Sequence, residues 1–143
     1  MLSFNVSTSN FLNFEKATLN DAKKILFECM FKMEELAVRQ APVDMGDLKK
    51  GIDLRPKGLS DEYVLVSKVD YSEAMEYGTG PMWVDLEPLK EWAGRKLGDE
   101  SLGFAVQKKI AEKGVNAHPF MRPALFEVQN YWFPFYANRM AKK

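Results

Sequence analysis

Val69-Asp70-Tyr71-Ser72-Glu73-Ala74-Met75-Glu76-Tyr77-Gly78-Thr79-Gly80-Pro81 is the stretch from which the rest of the chain is most easily read. It leaves a β-branched run, turns at Tyr71-Ser72 and stops hard at Gly78-Thr79-Gly80-Pro81. Gly78 and Gly80 are both free to take positive φ, and Pro81 fixes its own φ, so the chain must change direction here. The stretch reads as a strand end followed by a half-buried edge carrying Tyr71, Met75 and Tyr77. Local signals leave two forms open for Tyr71 to Tyr77, a third strand or a short helix.

Working upstream, Tyr63-Val64-Leu65-Val66-Ser67-Lys68-Val69 is the strongest strand in the sequence. Ile52-Asp53-Leu54-Arg55 alternates apolar and polar residues and is separated from it by a turn opening at Pro56-Lys57-Gly58, which predicts an antiparallel hairpin. Before that, Ala41-Pro42-Val43-Asp44-Met45-Gly46-Asp47-Leu48 is a turn. Pro42 bars helix continuation, the Asp44 carboxylate is placed to accept backbone N–H groups, and Gly46 supplies torsional freedom. Ala22, Ile25, Leu26, Cys29, Met30, Met33, Leu36 and Ala37 recur at helical spacing. With Thr18-x-x-Asp21 as a capping box, they predict a helix over about 18 to 40. Residues 1 to 17 are polar and irregular apart from Phe4, Phe11 and Phe14, and read as a flexible arm whose phenylalanines could dock on the body or on a neighbour.

Downstream of Pro81, Leu86, Leu89, Trp92, Ala93 and Leu97 have helical spacing, with Gly98 as the C-terminal cap. A second helical stretch runs from Ser101 to about Lys113 and ends at Gly114. Residues 82 to 114 therefore read as a helical insertion. The segment from Pro119 onward holds Phe120, Phe126, Tyr131, Trp132, Phe133, Phe135 and Tyr136, with Pro123 near a helix start and Pro134 inside, where a kink or break is expected. The fold class is α+β: a long N-terminal helix and a C-terminal helix packed on a small antiparallel sheet, in one domain of 143 residues.

Composition narrows the chemistry. Lys and Arg balance Asp and Glu at 20 each, so there is no general attraction to nucleic acid or an anionic membrane. No apolar run approaches about 20 residues, and no signal peptide is recognisable. The expectation is a soluble protein from a reducing compartment. Cys29 sits among apolar neighbours and reads as a buried small hydrophobe. His118 is the single histidine, which argues against zinc and against a histidine-based triad. No cofactor motif is present. Asp70, Glu73 and Glu76 could serve a carboxylate-dependent hydrolase, or could simply be solvated charges along an edge.

Three punctuated stretches, taken in order, carry a resemblance. Ala41-Pro42-Val43-Asp44-x-Gly46-x-Leu48-x-x-x-Ile52 resembles the signature APVDTGxLxxSI. Tyr71 to Thr79 resembles YAxxxEfGT, and Pro119-Phe120-Met121-Arg122-Pro123-Ala124-Leu125 resembles PFLRPAL. These belong to the gene-product-ten-like tail-component proteins of tailed bacteriophages and prophages, also described as tail-completion or head–tail joining proteins. The departures are Met45 for threonine, Gly51 for serine and Ser72 for alanine. The resemblance spans about residues 18 to 135 and implies the same α+β fold, with the 82–114 segment similar to an insert found in longer members. It also implies a structural protein of the virion, made in the host bacterial cytoplasm and without catalytic groups. The implied partners are copies of itself, possible as a ring, and a head–tail connector, tail terminator or tail-tube protein. DNA would be met only if the protein lines the channel, through a basic tail of Arg139, Lys142 and Lys143. Candidate interface residues are Tyr71, Met75, Tyr77, Phe120, Trp132, Phe133, Phe135 and Tyr136. Pro42, Asp44, Gly46, Gly78, Gly80, Pro119 and Pro123 are the turn-forming positions.

Overall fold

The apolar stripe of Ile25, Leu26, Cys29, Met30, Met33, Leu36 and Ala37 is buried along one side of helix α1 (Leu19–Gln40), and the rest of the molecule is arranged around it. The computed structural model describes residues 2–7, 19–57 and 62–141. In chain order, strand β1 (Leu2–Ser7) is followed by α1, a one-turn helix α2 (Asp47–Lys50), and strands β2 (Ile52–Pro56) and β3 (Glu62–Ser67). Then come α3 (Ser72–Tyr77), α4 (Leu86–Leu97), a 3-10 turn (Glu100–Leu102) and α5 (Gly103–Lys113). The chain finishes with α6 (Met121–Glu127), a π-helical turn (Val128–Trp132) and α7 (Phe133–Ala141). The fold is α+β, a small antiparallel sheet with several helices. Among the described residues, no helix is long and apolar enough to cross a membrane.

The sheet is three-stranded, in the order β1-β3-β2 and antiparallel throughout. The expected β2–β3 hairpin is present; the strand beside it on the other edge is a correction. Residues 2 to 7, read as the start of a flexible arm, pair along the whole of β3, from Leu2↔Ser67 to Ser7↔Glu62. Leu2 and Phe4 alternate with Ser3 and Asn5, a period-2 pattern that puts the apolar pair on the same face as Leu65, Ile52 and Leu54. That face meets α1, where Leu2, Ile52 and Leu65 join the core and Phe4 and Leu54 pack at its margin. The Thr18 end of the proposed capping box, and Phe11 and Phe14, lie outside the described residues.

α1 is shared between layers. It packs on β2 and β3, and α6, the π turn and α7 run against it. Phe120, Met121, Ala124 and Val128 enter the same core as the α1 stripe. Pro134 lies in the first turn of α7 and does not end the helix. It follows a π turn in which the Phe133 amide donates to the Val128 carbonyl five residues back. A proline ring clashes with the carbonyl four residues earlier and offers no N–H to it, and a widened turn before it relieves the conflict.

Residues 82 to 114 form two helices packed on each other, α4 and α5. Gly103 lies so close to the Lys90 backbone that a Cβ would come within 2.7 Å of it. The excursion is pinched at its base by a bridge between Thr79 and Val115, whose amides exchange bonds of 2.9 and 3.2 Å. Gly114 has φ 75, and a Cβ there would collide with the Thr79 carbonyl, so the pinch needs glycine.

Candidate functional site

Tyr71 to Tyr77 is neither strand nor sheet edge. Ser72–Tyr77 is the short helix α3, started by a turn in which the Ser72 amide donates to the Val69 carbonyl at 3.1 Å. Ser72 is fully buried. Its hydroxyl donates to the Val69 carbonyl at 2.6 Å, and it faces the buried Ser67 hydroxyl within hydrogen-bond distance. An alanine at this position would leave the Ser67 hydroxyl without that partner. The helix ends at Gly78, with φ 72, where a Cβ would stand 2.7 Å from the Val115 carbonyl oxygen. Gly80 is exposed and is not among the positive-φ glycines, which corrects the expectation for that position.

The helical form turns Glu76 inward, and Glu76 is the residue around which the site is built. Its side chain has no exposed surface. Oε2 accepts the backbone N–H groups of Phe120 (2.8 Å) and Met121 (2.9 Å). Oε1 accepts the Arg122 N–H (2.8 Å) and Arg122 Nε (3.0 Å), and Arg122 Nη2 donates to the Glu76 carbonyl at 2.8 Å. The N-terminus of a helix leaves four N–H groups unpaired and carries partial positive charge. At α6 three of the four go to one carboxylate, and the fourth position is Pro123, which has no N–H. A local cap is absent because the preceding residues are Pro119 and Phe120; the cap comes from a residue 44 positions earlier. The Arg122 guanidinium then lies 4.5 Å over the Tyr77 ring. The His118 amide adds a bond of 2.6 Å to the Met75 carbonyl.

The stretch from Ala41 to Ile52 meets the same region from the other side. The Lys68 amide donates to the Gly51 carbonyl at 3.0 Å, and Gly51 leaves room for the Val69 side chain, which a Cβ there would approach to 2.6 Å. Burial, then the charges of Asp47 and Asp44, push the Tyr71 hydroxyl above its ordinary range, against a backbone hydrogen bond from Leu48. Gly46 has φ 85 and precedes α2. Asp44 does not cap this turn, contrary to expectation. It faces outward, where both its oxygens bind Arg95 of α4, at 3.1 and 2.6 Å. Lys96 Nζ donates to the Val43 carbonyl at 2.6 Å beside it. The Arg95 hydrogen bond holds the Asp44 carboxyl below the usual carboxylate range. Asp44 thus ties the first turn to the 82–114 helices, which local sequence could not reveal because its partner is 51 residues away.

The three carboxylates of the hydrolase expectation are not brought together: Asp70 and Glu73 are exposed and Glu76 is enclosed. Cys29 is fully buried; burial, and then the charge of Glu28, push its thiol up to about 12. His118 is exposed. Among the described residues, no group of three or more His, Cys, Asp or Glu is placed to hold a metal ion. Arg139 pairs with Glu28 at 3.0 Å, and Lys142 and Lys143 lie outside the described residues.

Of the interface candidates, Phe120 is corrected outright, since it is fully enclosed in the core. Met75, Trp132, Phe133 and Tyr136 are half-buried and pack against the core margin. Tyr71, Tyr77 and Phe135 are exposed. Sequence reading missed others. Phe126 is 69% exposed and Tyr131 58%, and the Tyr131 and Phe135 rings stack with planes 5° apart, forming an outward aromatic stripe on the C-terminal helix. Trp83 is 72% exposed beside the 82–114 helices. Ordinary helical spacing could not have found Phe135, which an unbroken α-helix would set seven residues on and on the same face as buried Val128; the π turn between them changes the count. A scan against protein-family models, a search of curated proteins and a search of solved structures all return no match.

Proposed function

We propose that this chain is a structural virion protein of a tailed phage or prophage, which joins or completes the tail at the head–tail interface by oligomeric assembly. The reading starts from the resemblance of its three motifs. One observation carries it further: the one enclosed carboxylate in those motifs, Glu76, is fully engaged by the start of α6. The residues that carry the resemblance are therefore employed in building a rigid body, and the large exposed apolar residues beyond them include aromatic rings. Phe126, Tyr131, Phe135 and Trp83 offer apolar area of the type enriched at protein interfaces. The partners are copies of the chain itself and the connector, tail-terminator or tail-tube proteins next to it. The test is the protein content of purified particles from the encoding phage or induced prophage. Mass spectrometry should find this chain at a fixed, small copy number per particle. Its absence from particles that carry heads and tails would refute the proposal.

A further inference from the structure

We propose that the outward face of α1 is a two-fold contact between two copies of this chain. The face lies outside the three motifs, and the inference is independent of the phage reading. Phe27 and Phe31 stand at its centre, 47% and 55% exposed, with ring centroids 5.0 Å apart. Two large aromatic rings side by side and about half exposed, the Phe27 ring also 6.2 Å from that of Tyr63 on β3, are an unusual exposure for a monomer and suit a partner helix.

The charges around the rings say which partner. At 100° and about 1.5 Å per residue, Lys24, Phe27, Phe31 and Glu35 fall within about 80° of one another round the helix. The level midway between the rings is that of residue 29. Lys24 lies about 7.5 Å from it toward the N-terminus and Glu35 about 9 Å toward the C-terminus. A two-fold axis at this level sets a second α1 antiparallel, Phe27 against Phe31 of the other copy. Residues on one flank of the first helix then face the same flank of the second. Lys24 meets Glu35 of the second copy, and the symmetry repeats the pair. A parallel arrangement would set Lys24 against Lys24 and Glu35 against Glu35. The charge pattern therefore selects one orientation and one partner, a copy of the same chain. Lys24 is exposed, and Glu35, already 3.1 Å from Lys32 of its own helix, has oxygen lone pairs left for a second cation. A single helix pair buries less than the roughly 1,200–2,000 Å² of a stable interface, so the dimer is weak and concentration-dependent.

Sedimentation velocity on the intact chain, from low micromolar to submillimolar concentration, reads this directly. The wild type is expected to pass from monomer to dimer. Lys24→Glu and Glu35→Lys should each raise the dissociation constant about tenfold or more, and the double exchange should return it to within about threefold of wild type. Lys32→Met, which removes the intrachain partner of Glu35 together with the ammonium 4.1 Å over the Trp132 ring, should leave the dimer intact. Circular dichroism checks that each variant keeps its fold. The proposal is overturned by a chain monomeric throughout. A dimer indifferent to both single reversals, or one that the double exchange fails to restore, also overturns it.

Discussion

Glu76 does for α6 what Ser, Thr, Asp or Asn does at most helix starts, but from another element and with full charge. Hydrogen bonds to a charged group contribute more than neutral ones; the Arg122 side chain is 48% exposed, so the cost lies in the three backbone N–H groups left unmatched, about 1–3 kcal/mol for each buried donor. Glu76→Ala should therefore lower the melting temperature by roughly 10 °C or more. Glu73→Ala, one turn away on the exposed side of α3, should stay within about 0.5 kcal/mol of wild type in urea denaturation. Equal effects at the two positions would contradict the capping role. Asp44 makes a different prediction because its partner is a side chain at the surface. Its folded carboxyl is held below the unfolded value of about 3.9, so its contribution is complete above that pH and disappears as pH falls through the lower folded value. Wild type and Asp44→Asn should differ in stability from neutrality down to about pH 5, and their curves should converge below about pH 4. Urea titrations across that range check the sign; a gap that widens on acidification would exclude the Arg95 pairing as its cause.

Elements whose form is set by nearby residues were legible in the sequence. The α1 stripe, the β2–β3 hairpin and the glycine stops of α4 and α5 all rest on spacing or on a residue within a few positions. Gly98 and Gly114 both have the positive φ that a C-terminal glycine stop favours. What could not be read depended on distant partners. β1 becomes a strand only because β3 offers an open edge, and Leu2 and Phe4 gain their burial from α1. α3 is helical because Glu76 must point at α6; with only Glu-Ala-Met-Glu in view, strand and helix were equally available. Asp44 was read as a local cap because that is what an aspartate before a glycine usually is, and Arg95 lies 51 residues further on. The same logic gives a prediction for the 82–114 element. Thr79 and Val115 already sit side by side, so replacing Met82–Lys113 by a two-residue Asn-Gly turn should leave a folded body with the β1-β3-β2 sheet intact. An NMR spectrum with dispersed β-sheet amides would bear this out. A collapsed spectrum would mean that α4 and α5 are integral to the core.

At the scale of the whole molecule, the fold separates a rigid interior from an aromatic exterior. The interior is α1, the inner face of the sheet and the start of α6 locked to α3. Outside it stand Phe126, Tyr131 and Phe135 on the C-terminal helix, Trp83 on the insertion, and Phe27 and Phe31 on α1. Rings exposed in three places on a chain of 143 residues suit a subunit with more than one neighbour, as the proposed role at a head–tail joint would require. Replacing Phe126, Tyr131 and Phe135 together by serine removes apolar surface without touching the core. The isolated chain should keep its melting temperature within a few degrees while losing incorporation into particles. The most direct measurement is electron microscopy of particles produced when the gene is deleted from the encoding phage or prophage and supplied again in trans. The account predicts heads and tails that accumulate unjoined, restored to whole virions by the wild-type chain and not by the triple serine variant. Joined, complete particles formed in the absence of the chain would contradict it.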